Sequence, residues 1–228
     1  MADYFNKMFV YVVVLLILLH NKQQILGVCM GLFGKIFGSR VANKTSGELL
    51  KEATQLKKSG DWDGAIEALR KAYKKAKSEG ISYGADAYLR LPKYLYEAGR
   101  AGEAWSEYNR ALAEGLDGQA PSKEMASVEH SQVYGSMAGQ LKKEKKFYDA
   151  AMYQAGSALS WEKGMVEQQR ESELDFDLLQ KTIKQTLKKY DANEAHEQFI
   201  DLVKEATSNP MSNSIAGLIT KLRDIKKR

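Results

Sequence analysis

A pattern of small residues recurs along the chain and constrains its fold more than any other feature. The stretch GDWDGAIEALRKA, residues 60–72, places Ala65, Ala68 and Ala72 on one face of a helix. Alanine at the crossing of two helices lets their backbones approach closely. Related stretches are AGRAGEAWSEYNRAL (98–112), KKFYDAAMYQAGSAL (145–159) and KYDANEAHEQFIDLV (189–203). The chain is therefore predicted to form repeated antiparallel helix pairs.

These stretches resemble the tetratricopeptide repeat, in which a helix, a short turn and a second helix form a hairpin. In the first repeat the small positions are Ala53, Ala65 and Ala72, and the large ones are Trp62 and Leu69. The later repeats are matched by Ala104, Tyr108 and Ala111, by Ala138, Phe147 and Ala150, and by Tyr190, Ala195 and Phe199. The resemblance covers about residues 46–209. It implies an all-α, right-handed superhelical stack of antiparallel helix hairpins, a TPR-like α-solenoid.

The repeats are longer than those of the family they resemble. Their predicted starts, near residues 46, 85, 131 and 176, are 39, 46 and 45 residues apart, whereas a tetratricopeptide repeat has about 34 residues. The extra residues are expected in segments 74–86 and 115–123, and in an early start of the third repeat. Its first helix is predicted from Ser122 to about Lys143. Because longer helices protrude from a stack, the superhelix is expected to be irregular.

Glycine and proline predict where helices end or bend. Gly60 and Gly99 stand where the first helix of a pair must stop, because glycine accepts the left-handed conformation that ends a helix. Pro92 has no amide proton to donate, which predicts a kink over residues 88–92.

A further helix is predicted at the carboxyl-terminal end of the repeats. Asn209 and Pro210 are typical of a cap and a first helical residue, so a helix is predicted over 210–226. Its apolar stripe consists of Ile215, Leu218, Ile219 and Leu222. This helix is expected to cap the last pair, as an open-ended stack requires.

Composition disfavours several classes of protein. Three prolines in 228 residues, with long runs rich in Ala, Leu, Lys and Glu, favour helices over β-sandwiches and barrels. The single cysteine, Cys29, cannot form an intramolecular disulfide, which favours a reducing, intracellular compartment. His20, His130 and His196 lie far apart, and no Gly-rich phosphate loop or nucleophile motif is present. The chain is therefore predicted not to be an enzyme and to bind no metal or cofactor.

The net charge of +5 is concentrated near the amino terminus. Residues 1–44 hold five basic side chains and one acidic one, whereas residues 45–228 hold 29 basic and 28 acidic ones. A pI near 9.0 therefore does not indicate a globally basic body. Nucleic acid is disfavoured as a partner on this ground.

The segment 1–29 contains an apolar run whose role is open. Residues 8–19 are uninterrupted by polar side chains, but the run is shorter than the ~20 residues that a spanning helix needs. No secretory cleavage site follows it. The segment is interpreted either as a membrane anchor through residues 4–19 or as an upstream-extended reading frame whose natural start is Met30. A buried helix is a third interpretation.

The chain is accordingly divided into three parts. The apolar amino-terminal segment is followed by a basic, Gly-containing linker, residues 30–44, and by the helical repeat domain, residues 45–228. Because basic residues follow the apolar run, an anchor would leave the repeats in the cytoplasm. The predicted location is the cytoplasm, with or without that anchor.

The resemblance also implies where a partner binds. In tetratricopeptide proteins the first helix of each pair lines an inner groove, and the corresponding positions here hold nine basic and three acidic side chains. Apolar contact is expected from Tyr88, Leu89 and Tyr96. The predicted groove residues are Lys57, Lys58, Tyr88, Leu89, Arg90, Lys93, Tyr96, Lys142, Lys143, Lys181, Lys184 and Lys188. The alternative is that these lysines form an ordinary solvated face.

Together these features predict a protein–protein interaction scaffold or adaptor, without catalytic activity, whose basic concave groove binds an acidic or extended protein segment. The alternatives are a nucleic-acid-binding helical repeat protein and a membrane-tethered assembly factor. Phosphate binding is the weaker hypothesis, because lysine far outnumbers arginine in the groove and no aromatic platforms alternate with arginine. The family's clamp for a terminal carboxylate is not expected, since Leu50, Thr54 and Ser136 occupy its Lys and Asn positions. The sequence leaves the oligomeric state open.

Overall fold

The described part of the chain is helical. The computed structural model describes residues 44–119, 121–172, 174–190 and 193–226, without the side chains of residues 123, 124 and 193–195. No strand occurs in these ranges, so the prediction of an all-α chain is confirmed for them. The predictions for the apolar segment 1–29 and for residues 30–43 of the linker lie outside the described residues.

The helices follow one another largely as contacting pairs. They are α1 (Ser46–Lys58), α2 (Trp62–Glu79), α3 (Ala85–Tyr88), α4 (Arg90–Glu97), α5 (Ala101–Glu114), α6 (Lys123–Lys143), α7 (Phe147–Glu167), α8 (Phe176–Leu187), α9 (Asn193–Ser208), a 3₁₀ helix (Pro210–Ser212) and α10 (Ile215–Lys226). α1 packs against α2, α4 against α5, α6 against α7, and α8 against both α7 and α9. Contacts of α2 with α4 and of α5 with α6 join one pair to the next. The early start predicted for the third repeat is confirmed by α6.

The turns inside the first two pairs form as their glycines predict. Gly60 and Gly99 have φ values of +82° and +78°, which an L side chain rarely adopts. α1 ends at Lys58 and α4 ends at Glu97, directly before these turns. The next helix then starts at a cap: Asp61 Oδ1 accepts a hydrogen bond of 2.9 Å from the Gly64 N–H.

The kink predicted from Pro92 is present as a break between two helices. Leu89 separates α3 from α4, and Pro92 has no N–H to bond the carbonyl of Tyr88. The Tyr73 hydroxyl donates a hydrogen bond to the carbonyl of Ala87 beside the break. Burial is the main cause that raises the pKa of Tyr73, so this hydroxyl keeps its proton.

The last helix covers a core that α7, α8 and α9 build. Leu218 and Leu222 of α10 are buried there beside Phe199. The Tyr148 hydroxyl donates a hydrogen bond of 2.6 Å to the carbonyl of Leu222, which ties α10 to α7. The prediction of a terminal covering helix is confirmed. Its predicted start at residue 210 is wrong, because a 3₁₀ helix precedes α10.

Candidate ligand-binding groove

An open groove of about 570 Å³ lies between α6, α7 and α8. Gly135 and Gly139 are one helical turn apart on α6, so this wall of the groove is largely backbone. A Cβ atom added at Gly139 would meet no atom within 4 Å, because the space in front of it is open. We call this the apolar groove. It is lined by Ser131, Gly135, Ala138, Gly139, Lys142, Gln154, Ser157, Ala158, Trp161, Leu174, Asp175, Leu178, Leu179 and Thr182.

Apolar side chains are accessible at one end of this groove. Leu178 is 59% exposed, and Trp161 and Leu174 are half-buried. Leu178 is held in the first turn of α8, where its N–H donates a hydrogen bond of 2.9 Å to Oδ1 of the capping residue Asp175. A leucine that is this exposed beside a tryptophan offers apolar surface to a ligand.

The uncharged polar groups of the walls bond to one another. The Ser157 hydroxyl donates to the carbonyl of Ser131 at 2.8 Å. The Thr186 hydroxyl donates to Oε1 of Gln154 at 3.1 Å. Ser157, Thr186 and Oε1 of Gln154 are therefore engaged within the walls.

A basic depression of about 510 Å³ lies next to the apolar groove. Lys142 and Thr182 line both regions, so the two adjoin. We call this region the lysine pocket, and its lining residues are Lys142, Phe147, Thr182, Gln185, Thr186, Lys188 and Lys189. None of these side chains is a carboxylate.

The positive charge of the lysine pocket favours an anionic ligand. Burial and the nearby ammonium group of Lys189 lower the pKa of Lys142. The Nζ atom of Lys189 lies 5.3 Å from the centre of the Phe147 ring. Within the described ranges, Lys142, Lys188 and Lys189 form no salt bridge with a carboxylate. Because like charges in one depression repel each other, an entering anion would relieve that repulsion.

Two of the predicted groove lysines are engaged in ion pairs. Lys57 Nζ lies 3.1 Å from Glu97 Oε2, and Lys143 Nζ lies 3.3 Å from Glu97 Oε1. Lys57 also lies 4.8 Å from the centre of the Tyr94 ring. Burial tends to raise the pKa of Glu97, but the hydrogen bonds and charges of the two lysines outweigh it, so this pKa is lowered. One carboxylate therefore partly neutralises both lysines.

Three residues predicted to contact a partner are engaged within the fold. Tyr88 and Leu89 are only 7% and 3% exposed, so little of either side chain is accessible for the apolar contact expected of them. Both residues lie at the break between α3 and α4, and their side chains point into the core. The Arg90 guanidinium donates hydrogen bonds to the carbonyl of Leu50 at 3.1 Å and to the Thr54 hydroxyl at 2.7 Å.

The remaining predicted residues of the first two pairs also lie away from the two regions. Tyr96 is half-buried, and the centre of its ring lies 6.4 Å from that of Trp105. Burial and the neighbouring Glu144 carboxylate raise the pKa of Tyr96 to about 12. Lys58 is exposed and Lys93 is half-buried, and neither lines the apolar groove or the lysine pocket.

The face that α8 presents to the groove differs by one residue from the prediction. Lys181 and Lys184 line neither region, whereas Lys188 lines the lysine pocket together with Lys189, which was not predicted. Consecutive helical residues point about 100° apart, so the lining side chains of α8 lie on a different face from Lys181 and Lys184. The helical spacing of Leu178, Thr182 and Gln185 is the sequence signal for that face.

The described ranges contain neither a cluster of metal ligands nor a helix that could span a membrane. No group of three or more His, Cys, Asp or Glu side chains converges there to bind a metal ion. None of the helices described is both long and apolar enough to cross a bilayer. Comparison with protein-family models, with curated proteins and with solved structures gave no match. The geometry and charge of the groove are therefore the basis for assigning a function.

Proposed function

We propose that this chain is a non-catalytic protein–protein interaction module whose apolar groove and lysine pocket together bind an acidic or extended protein segment. The observation that carries the proposal is that the two regions adjoin. An exposed Leu178 lies on one side of Lys142 and Thr182, and on the other side lie lysines that form no salt bridge with any carboxylate in the described part of the chain.

The dimensions and chemistry of the groove favour a polypeptide as the ligand. α6 rises by about 16 Å between Ser131 and Lys142, at 1.5 Å per residue. An extended strand covers that length with about five residues. A short protein segment supplies both an aliphatic side chain for Leu178 and a carboxylate for the lysines, whereas a nucleic acid supplies no aliphatic side chain.

The tetratricopeptide-like arrangement is part of the same proposal. Ala65, Ala104 and Ala150 are fully buried, in agreement with their role at helix crossings in that family. Each helix pair packs on the next one. We infer a right-handed superhelix in which α10 acts as the cap and the first helix of each pair lines the inner surface.

Filling the groove tests this function. Gly139→Leu would place a branched side chain in the open space of the apolar groove. Gly102→Leu on α5 is the matched control, because Gly102 is also an exposed helical glycine whose added Cβ meets no atom within 4 Å. Both changes replace glycine by a better helix former, so neither is expected to unfold the chain. The full chain and both variants are immobilised, and proteins captured from a cell lysate are quantified by mass spectrometry.

The expected result is a protein that the wild type and Gly102→Leu retain and that Gly139→Leu loses. Equal retention by all three chains would mean that binding occurs outside the groove. Failure of the wild type to retain any protein would contradict the proposal. Retention of an oligonucleotide with a log–log salt slope of several units would support the nucleic-acid alternative instead.

A further inference from the structure

The charges along the groove differ in sign from one end to the other. Resting on the function proposed above, we propose that the groove accepts its protein segment in one order. An acidic residue lies in the lysine pocket, an apolar residue packs against Leu178 and Trp161, and a basic residue or amino group lies beside Asp175.

Hydrogen bonds between the helices show which side chains lie at each end of the groove. Ser157 of α7 bonds to Ser131 of α6, and Trp161 lies one turn further along α7, away from Lys142. Gln154 of α7 accepts a hydrogen bond from Thr186 of α8.

The same order holds along α8. Leu178 lies two turns before Thr186. Leu178 and Trp161 both line the apolar groove and neither lines the lysine pocket, so they lie at the same end. The apolar side chains therefore occupy one end of the groove, and the lysines occupy the other.

Asp175 gives the apolar end a negative charge. Its carboxylate is exposed and accepts a hydrogen bond only from the first turn of its own helix among the described contacts. An acidic residue of the ligand would be repelled there and attracted to Lys142, Lys188 and Lys189 at the opposite end. Attraction at one end combined with repulsion at the other is how charge selects one orientation over the reverse.

The spacing of the two recognition points follows from the geometry of α8. Leu178 lies about 14 Å from Leu187 along α8, at 1.5 Å per residue, and Lys189 follows in the turn after the helix. Flexible lysine side chains shorten the distance that the ligand must span. In an extended ligand the apolar and acidic residues are therefore expected to be about four positions apart.

A selection from a library of short random peptides displayed on phage tests this order. The full chain is compared with K142E/K189E, in which the charge of the lysine pocket is reversed, and with Asp175→Asn. Asparagine keeps the helix-capping hydrogen bond but removes the charge. The matched control is K181E/K184E, which makes the same change in net charge with lysines that line neither region.

The wild type and K181E/K184E are expected to enrich peptides that have an acidic residue, an apolar residue about four positions away from it, and a basic residue on the far side of the apolar one. K142E/K189E should enrich a basic residue at the acidic position while the apolar position is unchanged. Asp175→Asn should lose only the preference for a basic residue at the other end.

The proposed order would be overturned if the enriched peptides carried charges at no fixed position. It would also be overturned if a variant changed the residue preference at every peptide position. Both outcomes would leave peptide binding itself intact. If K142E/K189E and K181E/K184E enriched the same peptides, the proposed order would be overturned as well. No enrichment on the wild type, or enrichment that Gly139→Leu does not reduce, would overturn the proposed function as well.

Discussion

Glu97 connects three successive helix pairs through a single carboxylate. It lies at the end of α4 and contacts Lys57 of α1 and Lys143 of α6. The sequence pattern predicts both lysines to be groove residues that contact a partner. Their partner could not be predicted, because residues 40 or more positions apart come together only through the packing of the pairs.

Replacing Glu97 by glutamine is expected to lower the free energy of unfolding by about 0.5–1 kcal/mol near neutral pH. The pKa of Glu97 in the folded chain lies below its ordinary value of 4.5. The stabilisation is therefore fully present above that value and is lost as the pH falls through the folded pKa. Urea unfolding of both chains at about pH 7 and about pH 3 measures the difference. A difference of the same size at both pH values would contradict this account.

Tyr148 is expected to make stability sensitive to alkaline pH. Its side chain is 1% exposed and its hydroxyl donates to the carbonyl of Leu222. Burial, aided by Tyr190 and Asp149, raises its pKa from 10.0 to about 12. The stabilisation from the protonated hydroxyl is present below about pH 10 and is lost as the pH rises through about 12.

The comparison with Tyr148→Phe isolates this effect. The variant loses one hydrogen bond, which costs about 1 kcal/mol at neutral pH. Above about pH 10 the stability of the wild type should fall towards that of the variant. The measurement is the free energy of unfolding as a function of pH, and curves that stay parallel up to about pH 12 would rule out Tyr148 as the titrating group.

At the scale of single elements, the turn between α1 and α2 depends on glycine. Gly60→Ala is expected to destabilise the chain by about 1–2 kcal/mol, because alanine is strained at a φ of +82°. Gly102→Ala makes the same chemical change inside α5 and is expected to stabilise the chain by up to about 1 kcal/mol. Thermal unfolding of the two variants should therefore shift the midpoint in opposite directions. Shifts of the same sign would show that the turn does not require glycine.

The helix pairs could be predicted because their signals are local. Alanines at helical spacing, the glycines of the turns and Pro92 each act within a few residues, and the structure has the corresponding elements. The face that each helix turns to its neighbours could not be predicted equally well. Tyr88 and Leu89 are buried where the chain bends at Leu89. The residues of α8 that line the two regions lie on a different face from Lys181 and Lys184.

For the molecule as a whole, the candidate site is formed by three successive helices, and its lining residues are spread over positions 131–189. Trp161 and Leu178 line the apolar groove, and Lys189 lines the adjoining lysine pocket. These regions form because α7 packs against both α6 and α8. Of the residues predicted for the groove, Lys142 and Lys188 line the two regions. No property of composition indicates this combination, since residues 45–228 are almost balanced in charge.

Reversing the charge of the lysine pocket should separate binding from stability. Lys142, Lys188 and Lys189 repel one another, so K142E/K189E is expected to change the free energy of unfolding by no more than about 0.5 kcal/mol. Binding of an acidic segment should fall sharply, whereas K181E/K184E should bind as the wild type does. Thermal unfolding and fluorescence anisotropy with a peptide selected on the wild type measure the two quantities. A large loss of stability in K142E/K189E would mean that these lysines serve the fold.

Photo-crosslinking from inside the groove tests the central claim most directly. A benzoylphenylalanine at Thr182, which lines both the apolar groove and the lysine pocket, is compared with one at Thr220, an exposed position on α10. Irradiation of the full chain in cell extract is predicted to give adducts with a protein segment that contains acidic and apolar residues, from position 182 alone. Equal adducts from both positions, or adducts with nucleic acid instead of protein, would contradict a protein-binding groove between α6, α7 and α8.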